Sequence, residues 1–295
     1  MRKIRTLFLM TVLVLTQILP VTAGADIGPK PSVVIDIKGL EGETYYVTLL
    51  SEKDSTGPWS KHEILEEASQ SYGGPKTIQE EAWTAFNQYE DEDGFYFLGC
   101  LENGSYAHQF QWTYYPPETF KVLLYFPESG AFAVTEDIYQ RYAFDSYYTL
   151  NAEGAEETHQ LGELRQSYQF GWEGVSFLAR VVLTLAAEMA LALAFGFRAK
   201  KQLKVIFAAN LVTQVILNLL LNFINYRSGP FMLVFHYAWM ELVVFLLEGA
   251  LYAGTLKRWD RNPGKKRHPW GYALAANLTS LLLGILVAHW IPGIF

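Results

Sequence analysis

Asn210-Leu-Val-Thr-Gln-Val-Ile-Leu-Asn-Leu-Leu-Leu-Asn222 is an apolar run broken at every fourth position by an amide. A helix turns about 100° per residue, so Asn210, Gln214, Asn218 and Asn222 fall on one slowly drifting ridge. The surrounding stretch, 205–226, is long enough to cross about 30 Å of hydrocarbon. Three more such stretches lie at 174–197, 231–256 and 271–293, and each also carries polar groups at helical spacing. Arg180, Thr184 and Glu188 are four apart; Glu241 and Glu248 are seven apart and share a face with Tyr252; Asn277, Ser280 and Gly284 follow three-then-four spacing. Charges and amides in hydrocarbon are expensive unless they face one another. The pattern therefore predicts a polar cluster inside a four-helix transmembrane bundle, made of Arg180, Glu188, Asn210, Gln214, Asn218, Glu241, Glu248, Asn277 and Ser280.

About 1.5 Å of rise per residue orders that cluster by depth. Asn210, Glu248 and Asn277 are expected in one layer, Glu188, Gln214 and Glu241 near the middle, and Arg180, Asn218, Asn222, His236 and His289 toward the other face. Arg180 and Glu241 are the pair expected to meet. Glu188 and Glu248 lack an evident cationic partner, so each needs a proton, amide donors or a bound cation. Structural packing is the competing use of the amides, since polar and small residues also join transmembrane helices. It accounts less well for glutamates, which an amide could replace without introducing an ionisable group.

Sidedness follows from charge. Arg198, Lys200, Lys201 and Lys204 follow the first stretch, and Lys257, Arg258, Arg261, Lys265, Lys266 and Arg267 follow the third, whereas 226–230 carries only Arg227. The positive-inside bias then places 198–204 and 257–270 in the cytoplasm, with residues 26–172 and the C-terminus outside. Trp172, Trp270, Tyr272 and Trp290 stand at the boundaries expected of an aromatic belt. Residues 1–25 read as a signal peptide, with Arg2, Lys3 and Arg5 ahead of an apolar stretch and Ala23-Gly24-Ala25 as cleavage motif.

The 295 residues divide by charge as well as hydropathy. Residues 26–172 hold 25 acidic and 8 basic side chains; residues 174–295 hold 4 acidic and 12 basic ones. An acidic first half excludes nucleic acid as a partner, because phosphate binding needs a basic surface. Its β-branched and aromatic runs at 32–38, 43–50, 94–99, 106–114, 119–126, 131–135 and 144–150 read as strands, and 60–71 and 77–89 as short helices, Thr77 and Glu80 forming a capping box. Gly39-Leu-Glu-Gly42 between the first two runs is a hairpin signal. The expected fold class is α+β: a signal peptide (1–25), an extracytoplasmic β-sandwich, immunoglobulin- or transthyretin-like, with a helical insertion (26–150), a polar linker (151–173), and a four-helix transmembrane domain (174–295).

No catalytic residue can be assigned from motifs. HExxH, Gly-x-Ser-x-Gly and glycine-rich phosphate loops are absent, and His236 and Glu241 lie about 140° apart round a helix, too far for one ion. Asp91-Glu-Asp93-Gly94 is a fragment of a calcium loop, but Phe95-Tyr-Phe-Leu98 follows where oxygens should be, so an acidic turn is the better reading. The lone Cys100 forms no disulfide within the chain and reads as a small buried hydrophobe, with a reactive thiol or an intermolecular bridge as the alternatives. No metal and no cofactor are expected.

Ala25-Asp-Ile-Gly-Pro-Lys-Pro-Ser32, Tyr46-Val-Thr-Leu-Leu50 and Phe120-Lys-Val-Leu-Leu-Tyr125 resemble a group of bacterial membrane proteins, mainly from Firmicutes. In the apolar half, Asn210, Thr213 and Asn218, then Glu241, Val244, Glu248 and Tyr252, then Asn277, Ser280 and Gly284, resemble a wider pattern in small membrane proteins. Gln214-Val215 departs from the Asn-Pro pair expected there and removes a helix kink. The resemblance implies this architecture in a bacterial cell membrane and implies no activity. The expected function is a sensor or assembly protein, with the bilayer and a protein partner or second copy as partners. A proton- or cation-linked transporter or channel subunit is the alternative. An intramembrane enzyme using Glu241 and Glu248 comes third, because about 10 Å of helix separates them.

Overall fold

The computed structural model describes residues 28–61, 78–259 and 268–290, with side chains of the last helix as far as Leu286. The expected signal peptide, most of the helix at 60–71, Thr77, the basic residues of 261–267 and the side chains of His289 and Trp290 lie outside the described residues. Two compact units result, Pro29–Tyr168 and the helices from Gln169 onward.

The first unit is β-rich. Its strands are β1 (Ser32–Lys38), β2 (Tyr46–Ser51), β3 (Ser55–Thr56), β4 (Trp59–Ser60), β5 (Tyr96–Phe97), β6 (Glu102–Asn103), β7 (Gln109–Trp112), β8 (Thr119–Phe126), β9 (Ala131–Thr135), β10 (Tyr139–Gln140), β11 (Asp145–Asn151), β12 (Gln160–Leu161) and β13 (Leu164–Gln166), with helices α1 (Ile78–Gln88) and α2 (Ala155–Thr158). One sheet runs β13-β11-β1-β7; the other runs β12-β9-β8-β2-β5, with β10 on β8 and β6 on β2. Val33, Ile35 and Ile37 of β1 share one core with Val47 and Leu49 of β2 and with Phe120, Val122, Leu124 and Phe126 of β8. The alternate residues Tyr46, Leu50 and Leu123 pack instead on Ala82 and Phe86 of α1. The larger sheet is thus covered on both faces, which explains why β2 reads as an unbroken buried run rather than an alternating one.

Two expectations fail here for physical reasons. β1 and β2 do not form a hairpin: β1 pairs in parallel with β11 and antiparallel with β7, while β2 pairs with β8. The chain between them crosses from one sheet to the other, with Leu40 and Tyr45 buried in the core. Gly39 (φ 85°) passes so close to Glu153 that a Cβ would lie 2.9 Å from its backbone nitrogen, so the glycine serves a close crossing, not a tight turn. Residues 151–168 are not a linker either. β12 pairs with β9 and β13 with β11, and Leu161 and Leu164 enter the core. Scattered glutamates at 153, 156, 157 and 163 hid these two apolar anchors.

The turn at Asp91–Gly94 holds a cation from within the chain. Lys121 Nζ lies 3.0 Å from Asp91 Oδ1 and 2.7 Å from Asp93 Oδ2. Burial works against its charge, but the hydrogen bonds it donates to both carboxylates, with their negative charge, outweigh this and leave its pKa above the usual value. That stabilisation is complete at neutral pH and fades as pH climbs past the ordinary lysine pKa of about 10.4. Lys121→Met leaves Asp91 buried without its cation and is expected to lower unit stability by about 3 kcal/mol. Urea unfolding followed by tryptophan fluorescence reads this; an unchanged midpoint refutes it. Burial, with a smaller push from Glu102, raises the Cys100 thiol pKa to about 12, which fits the inert rather than the reactive reading.

The second unit contains α3 (Phe170–Ala194), α4 (Lys200–Thr255, continued by a 3-10 turn over Leu256–Trp259) and α5 (Pro269–Trp290). Three helices, not four, are long and apolar enough to cross a membrane, and α4 with its turn spans 60 residues. The expected second and third spans are joined because 226–230 keeps helical hydrogen bonding up to Ser228-Gly229-Pro230. There Gly229 leaves the helix at φ 80°, ψ 176°. Only glycine takes that φ without strain, and the proline disfavours helical geometry in the residue before it. The two arms of α4 fold back on each other: Gln202 Nε2 donates to Leu256 O (2.9 Å), Tyr252 Oη to Asn210 Oδ1 (2.6 Å), and Thr213 Oγ1 to Glu248 Oε1 (2.6 Å). A straight helix of this length would hold such partners tens of ångströms apart.

Candidate functional site

The helical unit is inverted relative to a water-soluble domain. Val182, Val212, Ile216, Phe235 and Leu282 are between 53% and 70% exposed, whereas all nine polar residues of the expected cluster are between 0% and 4% exposed. Burying polar groups and exposing leucines is the arrangement hydrocarbon favours and water does not.

Three connected layers fill the interior. In the first, Glu248 accepts from Thr213 Oγ1 at 2.6 Å and from Asn277 Nδ2 at 2.9 Å, joining both arms of α4 to α5. In the second, Gln214 Nε2 donates to Ser280 Oγ at 2.9 Å and, more weakly, to Glu188 Oε1 at 3.4 Å, joining α4 to α5 and α3. In the third, Arg180 Nη1 donates to Asn218 Oδ1 at 3.0 Å. Several of these side chains also bond back to their own helix one turn earlier: Asn218 to Gln214 O, Asn277 to Ala273 O, Thr184 to Arg180 O. These local bonds satisfy a second polar atom and fix the rotamer.

Glu241 differs from the others. The hydrogen bond expected from Arg180 is not made: Arg180 Nη1 donates to Asn218 instead, and the guanidinium lies over the Tyr237 ring, 5.7 Å from the centroid. Both Glu241 oxygens are buried with no hydrogen-bond partner, as are Glu188 Oε2 and Asn277 Oδ1. Among the described residues no three His, Cys, Asp or Glu side chains are grouped to hold a metal ion.

Tyrosines complete the site, and the sequence reading did not assign them there. Tyr252 donates to Asn210, and Tyr272 Oη donates to the backbone oxygen of Glu188 at 3.2 Å. Tyr252 was legible as the residue one turn beyond Glu248. Tyr272 was not, and its expected place in an aromatic belt is corrected: it is 0% exposed, while Trp172 and Trp270 remain 48% and 44% exposed. Gly284 lets the Tyr237 hydroxyl lie against α5, where a Cβ would collide with it. Gly284→Val is therefore expected to lower helix-unit stability by about 2 kcal/mol through overpacking. Thermal unfolding in detergent checks this, and an unshifted melting temperature contradicts it. His236 Nδ1 bonds Met232 O on its own helix.

No protein-family model, curated protein or solved structure matches the chain, so neither the family resemblance nor the immunoglobulin-like refinement of the β unit gains support.

Proposed function

We propose that the chain is a multi-pass membrane protein acting as a sensor or assembly factor, its β unit binding a ligand or partner outside the cell and its helical unit transmitting that event. The observation that carries this reading is the combination of a self-contained β unit with an inverted helical unit whose interior is ionisable. In this reading α4 crosses the bilayer twice, turning at Gly229, because about 84 Å of helix exceeds the roughly 30 Å of hydrocarbon. The basic residues near 198–204 and 257–270 then face the cytoplasm, and the β unit and C-terminus lie outside. Hydrogen bonding of both Glu248 oxygens speaks against an acid–base pair with Glu241 and so against an intramembrane enzyme.

A second reading, proton- or cation-linked transport, draws on the unpartnered oxygens of Glu188 and Glu241. Liposomes carrying the full chain and a trapped pH dye separate the two. Under a potassium–valinomycin potential the sensor reading expects the dye trace of protein-free vesicles. Flux that vanishes in Glu241→Gln overturns it in favour of transport.

A further inference from the structure

The β unit contains an open cleft of about 670 Å³, within the usual range for small-molecule sites. Its walls are the β10 region (Ile138–Tyr142) and the β13 region (Glu163–Gln166), with Tyr148 of β11 between them. Its composition is unlike the rest of the unit. Residues 26–172 contain two arginines, Arg141 and Arg165, and both line this cleft, although the segment as a whole carries an excess of 17 acidic groups. Tyr139, Tyr142 and Tyr148 supply an aromatic wall, and the last two stack edge-to-face at 5.4 Å.

The arginines differ in state. Arg165 is exposed and already loosely paired with Glu163 at 3.4 Å. Arg141 is half-buried, and its Nε is buried with no hydrogen-bond acceptor. Burial works against its charge and lowers its pKa, and the field of Glu118, which partly offsets this, comes without an ion pair. A guanidinium fork with an unused donor, set beside aromatic faces, is suited to a planar or tetrahedral oxyanion on a ring-bearing body. The hydroxyls of Tyr139 and Tyr148 are engaged elsewhere: Tyr139 Oη accepts from Leu164 N at 3.0 Å, and Tyr148 Oη donates to Gln140 O. Those bonds hold the two walls together, with Tyr148 packed beneath them against Phe120, Tyr139 and Tyr142.

We propose that this cleft is the binding site of the β unit and takes a small ligand with one oxyanion group, held by Arg141 and seated beside Tyr142, with the buried Tyr148 supporting the Tyr142 ring from behind. This deepens the sensor reading and rests on it, because β13 is the last strand before α3 and a ligand against it acts on the segment leading to Phe170.

Saturation-transfer NMR on the full chain in detergent, with benzoate, inorganic phosphate and neutral benzamide as probes, tests it. Benzoate is expected to bind, phosphate to compete with it, and benzamide to bind at least tenfold more weakly. Arg141→Gln is expected to weaken benzoate at least tenfold, with Arg141→Lys in between. Competition by phosphate marks a general oxyanion site; binding of benzoate without competition marks a carboxylate site on an aromatic body. If Arg141→Gln does not fold, Tyr142→Ala provides the check, with a loss of at least threefold expected. Absence of binding by either anion, or equal binding by the wild-type and substituted chains, overturns the proposal. The liposome result is independent: flux there removes the sensor reading while leaving anion binding at Arg141 as measured.

Discussion

Glu248→Ala is expected to lower the stability of the helical unit by about 4 kcal/mol, and Glu248→Gln by less than about 1 kcal/mol. Alanine leaves the Thr213 hydroxyl and the Asn277 amide without their acceptor in a dry interior, where each orphaned group costs about 1–3 kcal/mol, and it adds a cavity. Glutamine can keep its oxygen toward Asn277 Nδ2 and turn its N–H to Thr213 Oγ1, whose own hydrogen then goes to Ala209 O, 3.0 Å away. The contrast between the two variants is therefore larger than either shift alone. Unfolding by SDS in mixed micelles, read by tryptophan fluorescence, measures both. Equal losses for alanine and glutamine would mean that the carboxylate charge, not its hydrogen bonds, holds the three helices together.

Glu241→Met is expected to shift stability the other way, raising it by about 1–2 kcal/mol. Both carboxyl oxygens are buried without hydrogen bonds, and exchanging such a group for an apolar one of similar volume removes an unrecovered desolvation cost. The opposing effect is the loss of a negative charge in the neighbourhood of Arg180. Arg180 keeps its bond to Asn218 and its place over the Tyr237 ring, so desolvation of Glu241 is expected to win. A residue whose removal stabilises the protein is retained for another reason, as strained and unsatisfied groups at functional sites are. A marked loss of stability on the same SDS assay would instead identify Glu241 as the ionised counter-charge of Arg180, a structural role.

How much of this was legible differs between the halves. In the helical unit a period of about 3.6 residues on four apolar stretches marked which side chains face inward, because hydrocarbon leaves polar groups no other place to go. The grouping of Glu248 with Asn277, Glu188 with Gln214 and Arg180 with Asn218 followed from helical rise, since rise in a helix is fixed by its backbone. Which partner each group chose was not legible. Arg180 was matched to Glu241 by charge and depth, yet its Nη1 donates to Asn218 on the other arm of α4, a choice set by how the arms pack. Joining of the middle spans into α4 was hidden for a similar reason: a five-residue linker reads as a loop, yet helical bonds run through most of it and only Gly229 departs.

In the β unit the runs of β-branched and aromatic residues placed β1, β8 and β9 at their observed limits. It could not tell which strands pair, because pairing is settled by contacts far apart in sequence and local turn residues bias it only weakly. The Gly39–Gly42 segment has hairpin composition but sits in a crossing between sheets. Residues 151–168 have linker composition but end in an edge strand. The sequence alone determined the division into an acidic β-rich half and an inverted helical half, and nine of the buried polar residues, though not Ser176 or Gln202, because both follow from local periodicity and transfer free energy. Tertiary structure alone decided that Glu248 is fully bonded while Glu241 is not, and that Arg141 lines a cleft with a free donor, because hydrogen-bond partners are set by how independent elements pack.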